Sequence, residues 1–284
     1  MLPDLHRHLD GSLRPATLAE LAHDAGVPVP SDLAFHAGMG LDQALARFAF
    51  TLSLLQSPEA VARVAHEICT DAAADGVSTL EIRFAPQLHG DIASTVDAAL
   101  QGIAGRAGLV LCALYGQDPA VAMELARQPG IVGLDLAGGP APGHRWGMAD
   151  VAPAFELARD RGLGRTVHAG EGRPPAEIRV AIERLHAVRI GHGTTLLDDP
   201  DVTALVLQRG VTIEACVTSN VHVGAIDAVA DHPVARWLEQ GVRVCVCTDN
   251  TLLSATTSSH EHALAAGLGA SVDALRAHGH AAAF

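Results

Sequence analysis

Eight short apolar runs, each followed by a helical pattern, predict an α/β protein. The expected architecture is a single (β/α)8 TIM-type barrel over residues 1–284, with a helical segment between strands 1 and 2. A second observation agrees: histidine, aspartate and glycine recur at the ends of these runs, where such a barrel carries its site. The alternative is a doubly wound open sheet, weakened by the lack of a Gly-x-Gly-x-x-Gly turn after an early strand.

Leu2 to Leu9 reads as the first strand. His6 and His8 are two apart, so strand alternation turns both imidazoles to one side. Asp10-Gly11-Ser12 is a turn, and Pro15 and Thr17 open a helix that Gly26 stops near Ala25. Val27 to Gly40 is irregular. Leu41, Leu45, Phe48, Leu52 and Leu55 recur at helical spacing. Ser57-Pro58-Glu59 caps a further helix, with Val61, Val64, Ile68 and Ala72 on one face, ending before Gly76. The remaining strands are expected over 77–84, 109–114, 131–136, 165–168, 188–190, 211–216 and 242–247. Helical patterns follow at 92–106, 119–127, 149–161, 175–185, 200–208 and 233–239.

The chain is long enough for one large core. Its formal charge is −13, from 19 basic and 32 acidic residues. That balance argues against nucleic acid and anionic membranes as partners, because both are bound by clustered Lys and Arg. Every basic residue is arginine. A lysine Schiff base, a pyridoxal phosphate linkage, a carboxylated lysine between two metals and a P-loop are therefore excluded. Cys69, Cys112, Cys216, Cys245 and Cys247 sit in apolar patterns and read as reduced core residues. A Cys245-x-Cys247 metal pair is the alternative, but no second pair has zinc-site spacing. No apolar run reaches the roughly 20 residues of a membrane span. The N-terminus shows no basic segment leading into an apolar stretch, so a cytoplasmic protein is expected.

The stretch Thr166-Val167-His168-Ala169-Gly170-Glu171 ends one strand in a histidine and delivers a carboxylate three positions later. Other strand ends match it: His6 and His8 after strand one, Gly138 and Gly139 after strand four, His192 after strand six, Asp249 and Asn250 after strand eight. Three imidazoles and a carboxylate form a set that suits zinc, which lowers the pKa of a coordinated water to about 7.

Most other histidines (His23, His36, His66, His89, His144, His186, His260, His262, His278 and His280) read as solvated or structural; His222 borders the expected site. Glu81 and Arg83 are expected to form an ion pair inside the barrel. Ser219 lacks a nucleophile elbow and reads as a loop hydrogen-bonding residue. Trp146 and Trp237 read as packing residues.

The segments Leu5-His6-Arg7-His8-Leu9-Asp10-Gly11-Ser12, Val167-His168-Ala169-Gly170-Glu171, Arg189-Ile190-Gly191-His192-Gly193-Thr194 and Thr248-Asp249-Asn250 resemble, in order, the signature segments of the adenosine deaminase family of metal-dependent hydrolases. Glu81-Ile82-Arg83-Phe84-Ala85-Pro86, Asp135-Leu136-Ala137-Gly138 and Thr218-Ser219-Asn220 are similar as well. The likeness runs from residue 2 to about residue 262.

The resemblance implies one zinc ion held by His6, His8, His168 and Asp249. It implies Glu171 as the proton donor to the ring nitrogen beside the attacked carbon, and His192, with Asp249, as the groups orienting the attacking hydroxide. Among substrate contacts it implies His8, Asp10 on a sugar hydroxyl, the backbone of Gly138 on the ring, and Asn250 where many members have a second aspartate. An amide at 250 donates to purine N7 directly, whereas an aspartate must first carry a proton. The implied reaction is zinc-dependent conversion of adenosine to inosine and ammonia. Other possible substrates are a 5′-modified adenosine such as aminodeoxyfutalosine, free adenine and an N6-substituted nucleotide. A non-catalytic nucleoside-binding barrel and a binuclear hydrolase are the rival classes. The implied partner is a small purine nucleoside, with the chain a monomer or homodimer. Residues 10–76 look short against typical members, which implies a more open site, and the end of the chain looks short too.

Overall fold

The computed structural model describes residues 1–284 and contains eight parallel strands hydrogen-bonded in sequence order. They are β1 (Leu2–His8), β2 (Val77–Phe84), β3 (Gly108–Leu114), β4 (Gly133–Ala137), β5 (Gly164–Ala169), β6 (Arg189–His192), β7 (Thr212–Ala215) and β8 (Arg243–Val246). The ring closes just past β8, where Arg7 bridges to Asp249. His8 N–H donates to the Asp249 carbonyl at 2.7 Å, and Asp249 N–H donates to the His6 carbonyl at 2.8 Å. The backbone bonds that close the barrel therefore also set Asp249 beside His6 and His8.

Three helices, α1 (Pro15–Asp24), α2 (Leu41–Leu54) and α3 (Pro58–Ala74), fill the segment between β1 and β2. The outer layer continues with α4 (Ile92–Ile103), α5 (Pro119–Leu125), α6 (Ala152–Asp160), α7 (Ala176–Arg184) and α8 (Pro200–Arg209). It ends with α9 (Val217–His222), α10 (Val234–Glu239), α11 (Ser258–Gly267) and α12 (Val272–Ala282). Ser57 accepts from Ala60 N–H and caps α3 as its sequence predicts. The pattern expected as one helix over 149–161 is instead a 3₁₀ turn, Met148–Val151, followed by α6, because Pro153 has no N–H to continue a preceding helix. No helix is long and apolar enough to cross a membrane.

The apolar core lies between the strands and the helices, with Trp237 fully buried in it. Trp146 departs from the packing expectation. It is half-exposed, with the Arg145 guanidinium 4.6 Å over its ring. All five cysteines are free and buried. Cys245 and Cys247 lie 3.6 Å apart, packed with Leu5 and Cys216 rather than within a donor cluster of their own.

The barrel interior is charged. Arg83 and Asp135 pair at 2.9 Å, and Arg83 and Glu214 at 3.0 Å. Arg189 pairs with Glu81, and its Nε lies 2.7 Å from Glu214. The expected Glu81–Arg83 pair is therefore corrected. Both residues face inward on β2, but alternation holds two such side chains parallel, and each reaches across the barrel to a different strand. Every charge in this layer has an opposite partner, as burial demands.

Candidate active site

The β5 end brings His168 and Glu171 to the C-terminal mouth of the barrel, and the other predicted residues meet them there. His8, Asp10, Gly138, His168, Glu171, His192, Asp249 and Asn250 all line one cavity of about 270 Å³. His6 sits immediately beneath it, fully buried. Gly138 has φ +81°, a left-handed conformation that suits glycine. Gly11 is needed for space, since a Cβ there would sit 2.2 Å from Asn250 Oδ1.

Four donors converge. His6 Nε2 and His8 Nε2 are 3.2 Å apart, and His8 Nε2 and His168 Nε2 are 3.3 Å apart. Asp249 Oδ1 is 3.6 Å from His6 Nε2 and 3.4 Å from His8 Nε2. Four ligands at roughly 2.0–2.1 Å from a tetrahedral zinc ion stand about 3.3–3.4 Å from one another. The measured separations fit that figure.

The hydrogen bonds behind His6 and His168 fit as well. His6 Nδ1 is 2.7 Å from Glu214 Oε2 and His168 Nδ1 is 3.1 Å from Asp135 Oδ2. Each Nδ1–H donates to its carboxylate, which leaves a lone pair on each Nε2 facing the common centre. Lone pairs this close repel unless a cation lies between them. Burial, with Arg83 and the neighbouring imidazoles adding to it, pushes the His6 pKa well below its ordinary value; for His8 burial and His168 do the same. Burial opposes charge on His168 too, but Asp135 outweighs it and raises that pKa. One nitrogen each of His6, His168 and His192 also lie within 4.8 Å of one another, as do donors of His6, Cys216 and Asp249.

Burial pushes the Glu171 carboxyl above the ordinary carboxylate range, against the pull of Arg173, whose Nη1 is 3.8 Å from Glu171 Oε2. Burial likewise raises Asp249, whose Oδ2 accepts from Ser219 Oγ at 2.5 Å, so Ser219 plays the expected hydrogen-bonding part. His192 has φ +70° and Asp249 φ +61°. Arg189 faces the interior, so strict alternation along β6 would turn His192 outward. The left-handed backbone turns its ring into the cavity instead, which is local strain at a functional position.

Several expectations need correcting. His222 is not among the residues lining the cavity; its ring packs near Phe35, with centroids 6.3 Å apart. His89 has the structural role expected of it: it is buried beside the site, its Nδ1 2.9 Å from the Leu55 carbonyl and its Nε2 3.9 Å from Asp10 Oδ2. The helical segment does not leave the mouth bare. Leu41, Leu45, Phe48 and Leu52 of α2 line the cavity, and apolar residues predominate in it. Sequence reasoning missed Glu214, Asn220 and Tyr115, whose hydroxyl donates to the His168 carbonyl at 2.8 Å. The Ser219-Asn220 motif signalled Asn220, but nothing in the sequence gave it a role.

A closed parallel barrel with nitrogen and oxygen donors gathered at its C-terminal mouth, beside a carboxyl whose pKa burial raises, has the layout of a metal-dependent hydrolase of the barrel class. Residues 2–271 match the family model described as adenosine deaminase, and the chain belongs to that family, whose members are hydrolases acting on C–N bonds of cyclic amidines. Hydrolytic deamination of adenine compounds is the reaction class. The chain is 35% identical over 283 residues to the adenosine deaminase of Enterococcus faecalis, covering 91% of this chain and 83% of that protein. It is also 35% identical over 288 residues to a probable adenosine deaminase of Dictyostelium discoideum, covering 92% of this chain but only 37% of that protein. Among solved structures, an adenine deaminase from Arthrobacter aurescens superposes with TM-score 0.87 at 26% identity, covering 100% of this chain and 93% of its own. The Arabidopsis N6-mAMP deaminase superposes with TM-score 0.87 at 28% identity, covering 99% and 93%.

Proposed function

We propose that this chain converts adenosine to inosine and ammonia, using one zinc ion held by His6, His8, His168 and Asp249. The observation that carries the choice of substrate is the lining of the cavity. It contains three carboxyl residues (Asp10, Glu171 and Asp249) and no arginine or lysine. A nucleotide phosphate has no cation to meet there, which weighs against the monophosphate substrate in the printed name of the Arabidopsis protein. Free adenine, named for the Arthrobacter enzyme, would leave buried acceptors unserved. Asp10 Oδ1 and Asn250 Oδ1, both on residues that line the cavity, are buried without hydrogen-bond partners. Ribose hydroxyls supply donors for such atoms. The cavity volume, just below the roughly 300–1,000 Å³ of small-ligand pockets, favours a compact nucleoside over a 5′-extended one.

A zinc ion held by these four donors would supply the Lewis acidity that lowers the pKa of water toward about 7. The residues of the chain do the rest. Glu171, protonated, gives its proton to the ring nitrogen beside C6 as hydroxide adds. His192 donates a hydrogen bond to the incoming oxygen, and Asp249 orients it. Asn250 donates to N7, the Gly138 backbone meets the ring, and Asp10 accepts from the sugar. The proton of the new C6 hydroxyl passes to the amino group, which leaves as ammonia while the C6 carbonyl forms, and the next water molecule returns a proton to Glu171.

The test is the loss of adenine absorbance by zinc-loaded protein on adenosine, AMP, adenine and a 5′-extended adenosine in parallel. Adenosine should be preferred over AMP by at least tenfold in kcat/KM. A preference for AMP or adenine would overturn the substrate assignment.

A further inference from the structure

The way His192 presents a proton to the site is set outside the site. α10 begins at Val234, whose backbone N–H has no helical partner because it opens a helix. That N–H donates to His232 Nδ1 at 3.3 Å. A nitrogen that accepts carries the lone pair, so the His232 proton lies on Nε2. His232 Nε2 is 3.2 Å from Asn220 Oδ1, and Asn220 Nδ2 is 2.9 Å from His192 Nδ1. All three side chains are buried, and His232 is held edge-on against Trp237 with ring centroids 5.5 Å apart.

Each link leaves one orientation for the next. The His232 N–H requires an acceptor, so the Asn220 amide turns its oxygen that way. Its NH₂ then faces His192, where a proton on Nδ1 would set two donors against each other. His192 Nδ1 must therefore accept, and its proton lies on Nε2. The approach of Glu171 Oε1 to the same Nδ1, at 3.4 Å, is longer than the 2.9 Å contact from Asn220, whose amide orientation His232 fixes. Burial, with His192 and Arg236 adding to it, pushes His232 down to about 3, so the ring is neutral.

We infer that His232 is a positioning residue for the reaction: through Asn220 it fixes His192 as the Nε2–H tautomer, a hydrogen-bond donor rather than a fifth metal ligand. The inference rests on the deaminase reading for its kinetic consequence, but not for the tautomer itself. It separates His192 from His6 and His168, which place lone pairs at the same centre.

The experiment records long-range ¹⁵N–¹H correlations of histidine-labelled protein, with and without zinc, alongside adenosine kinetics. In the wild type both His192 and His232 should show the Nε2–H pattern. His232→Phe keeps a ring against Trp237 and removes the donor. His192 should then lose its Nε2–H pattern, with kcat falling on the order of 10²-fold, KM little changed and zinc content unaltered. His232→Gln, which keeps an N–H where Nε2 stood, should restore both. Should His232→Phe fail to fold, Asn220→Asp puts an acceptor against His192 Nδ1 and should move the proton there. His192 remaining Nε2–H in His232→Phe and in Asn220→Asp would overturn the inference. Loss of the pattern in a protein that does not deaminate adenosine would support the relay while sinking the proposed substrate.

Discussion

Glu214→Gln should weaken metal binding without touching a ligand. Glu214 Oε2 accepts from His6 Nδ1 at 2.7 Å and from Arg83 Nη2 at 3.0 Å, while Oε1 accepts from Thr166 Oγ1 at 3.0 Å with Arg189 Nε 2.7 Å away. An amide can keep one of these two faces. If its oxygen serves Thr166 and Arg189, its NH₂ confronts two donors, His6 Nδ1–H and Arg83. His6 relieves the conflict by moving its proton to Nε2, the nitrogen that faces His8 and Asp249, and one lone pair is lost from the donor set. Losing such an outer partner costs about 10–100-fold in metal affinity, or about 1.4–2.8 kcal/mol at 1.4 kcal/mol per decade. Removing one partner of a buried pair also destabilises the fold, typically by about 3–5 kcal/mol. The lower end applies here because Arg83 keeps Asp135 and Arg189 keeps Glu81. Zinc competition against a chromophoric chelator reads the first effect, and denaturant unfolding of the metal-free protein reads the second. A folded variant with zinc affinity within twofold of wild type would refute the link between Glu214, the His6 tautomer and the metal.

Three further outcomes are expected. Arg173→Met removes the cation that pulls the Glu171 pKa down. Because Glu171 acts as an acid, the rate is full below its pKa and is lost as pH rises through it, so the alkaline limb of kcat/KM should move to higher pH; a limb that stays put or moves down contradicts the acid role. Asn250→Asp should make kcat/KM fall with rising pH more steeply than in the wild type, since an aspartate there donates to N7 only while protonated, and an unchanged pH profile would count against the Asn250 contact. Gly102→Ala places a methyl 2.1 Å from the Ala62 carbonyl, where α4 crosses α3, and should destabilise by about 1–3 kcal/mol through overpacking, seen as a lowered denaturant midpoint with activity retained.

The order of elements was legible because each strand carries its own signal. His6, His8, His168, Asp249 and Glu171 were legible for the same reason: they stand at strand ends, and the barrel gathers all such ends at one mouth. His192 was found by its place after a strand, though its inward turn depends on a left-handed residue that alternation does not foresee. Pairings across the barrel were not legible. Glu81 and Arg83, two apart in sequence, suggested each other, yet their partners lie on β4, β6 and β7 and become neighbours only when the sheet closes. Glu214 looked like one polar position in an apolar strand. His232 lies in a loop, and its link to His192 exists only because α10 begins two residues later and Asn220 stands between the rings.

The central claim is that these residues add water to C6 of adenosine with Glu171 supplying the proton. The direct test is turnover of adenosine in ¹⁸O-labelled water, with the product weighed by mass spectrometry and ammonia counted. The account predicts inosine carrying one ¹⁸O at C6 and one ammonia per inosine, with turnover falling by at least 10²-fold in Glu171→Gln. Unlabelled product, or a Glu171→Gln variant as active as the wild type, would contradict it.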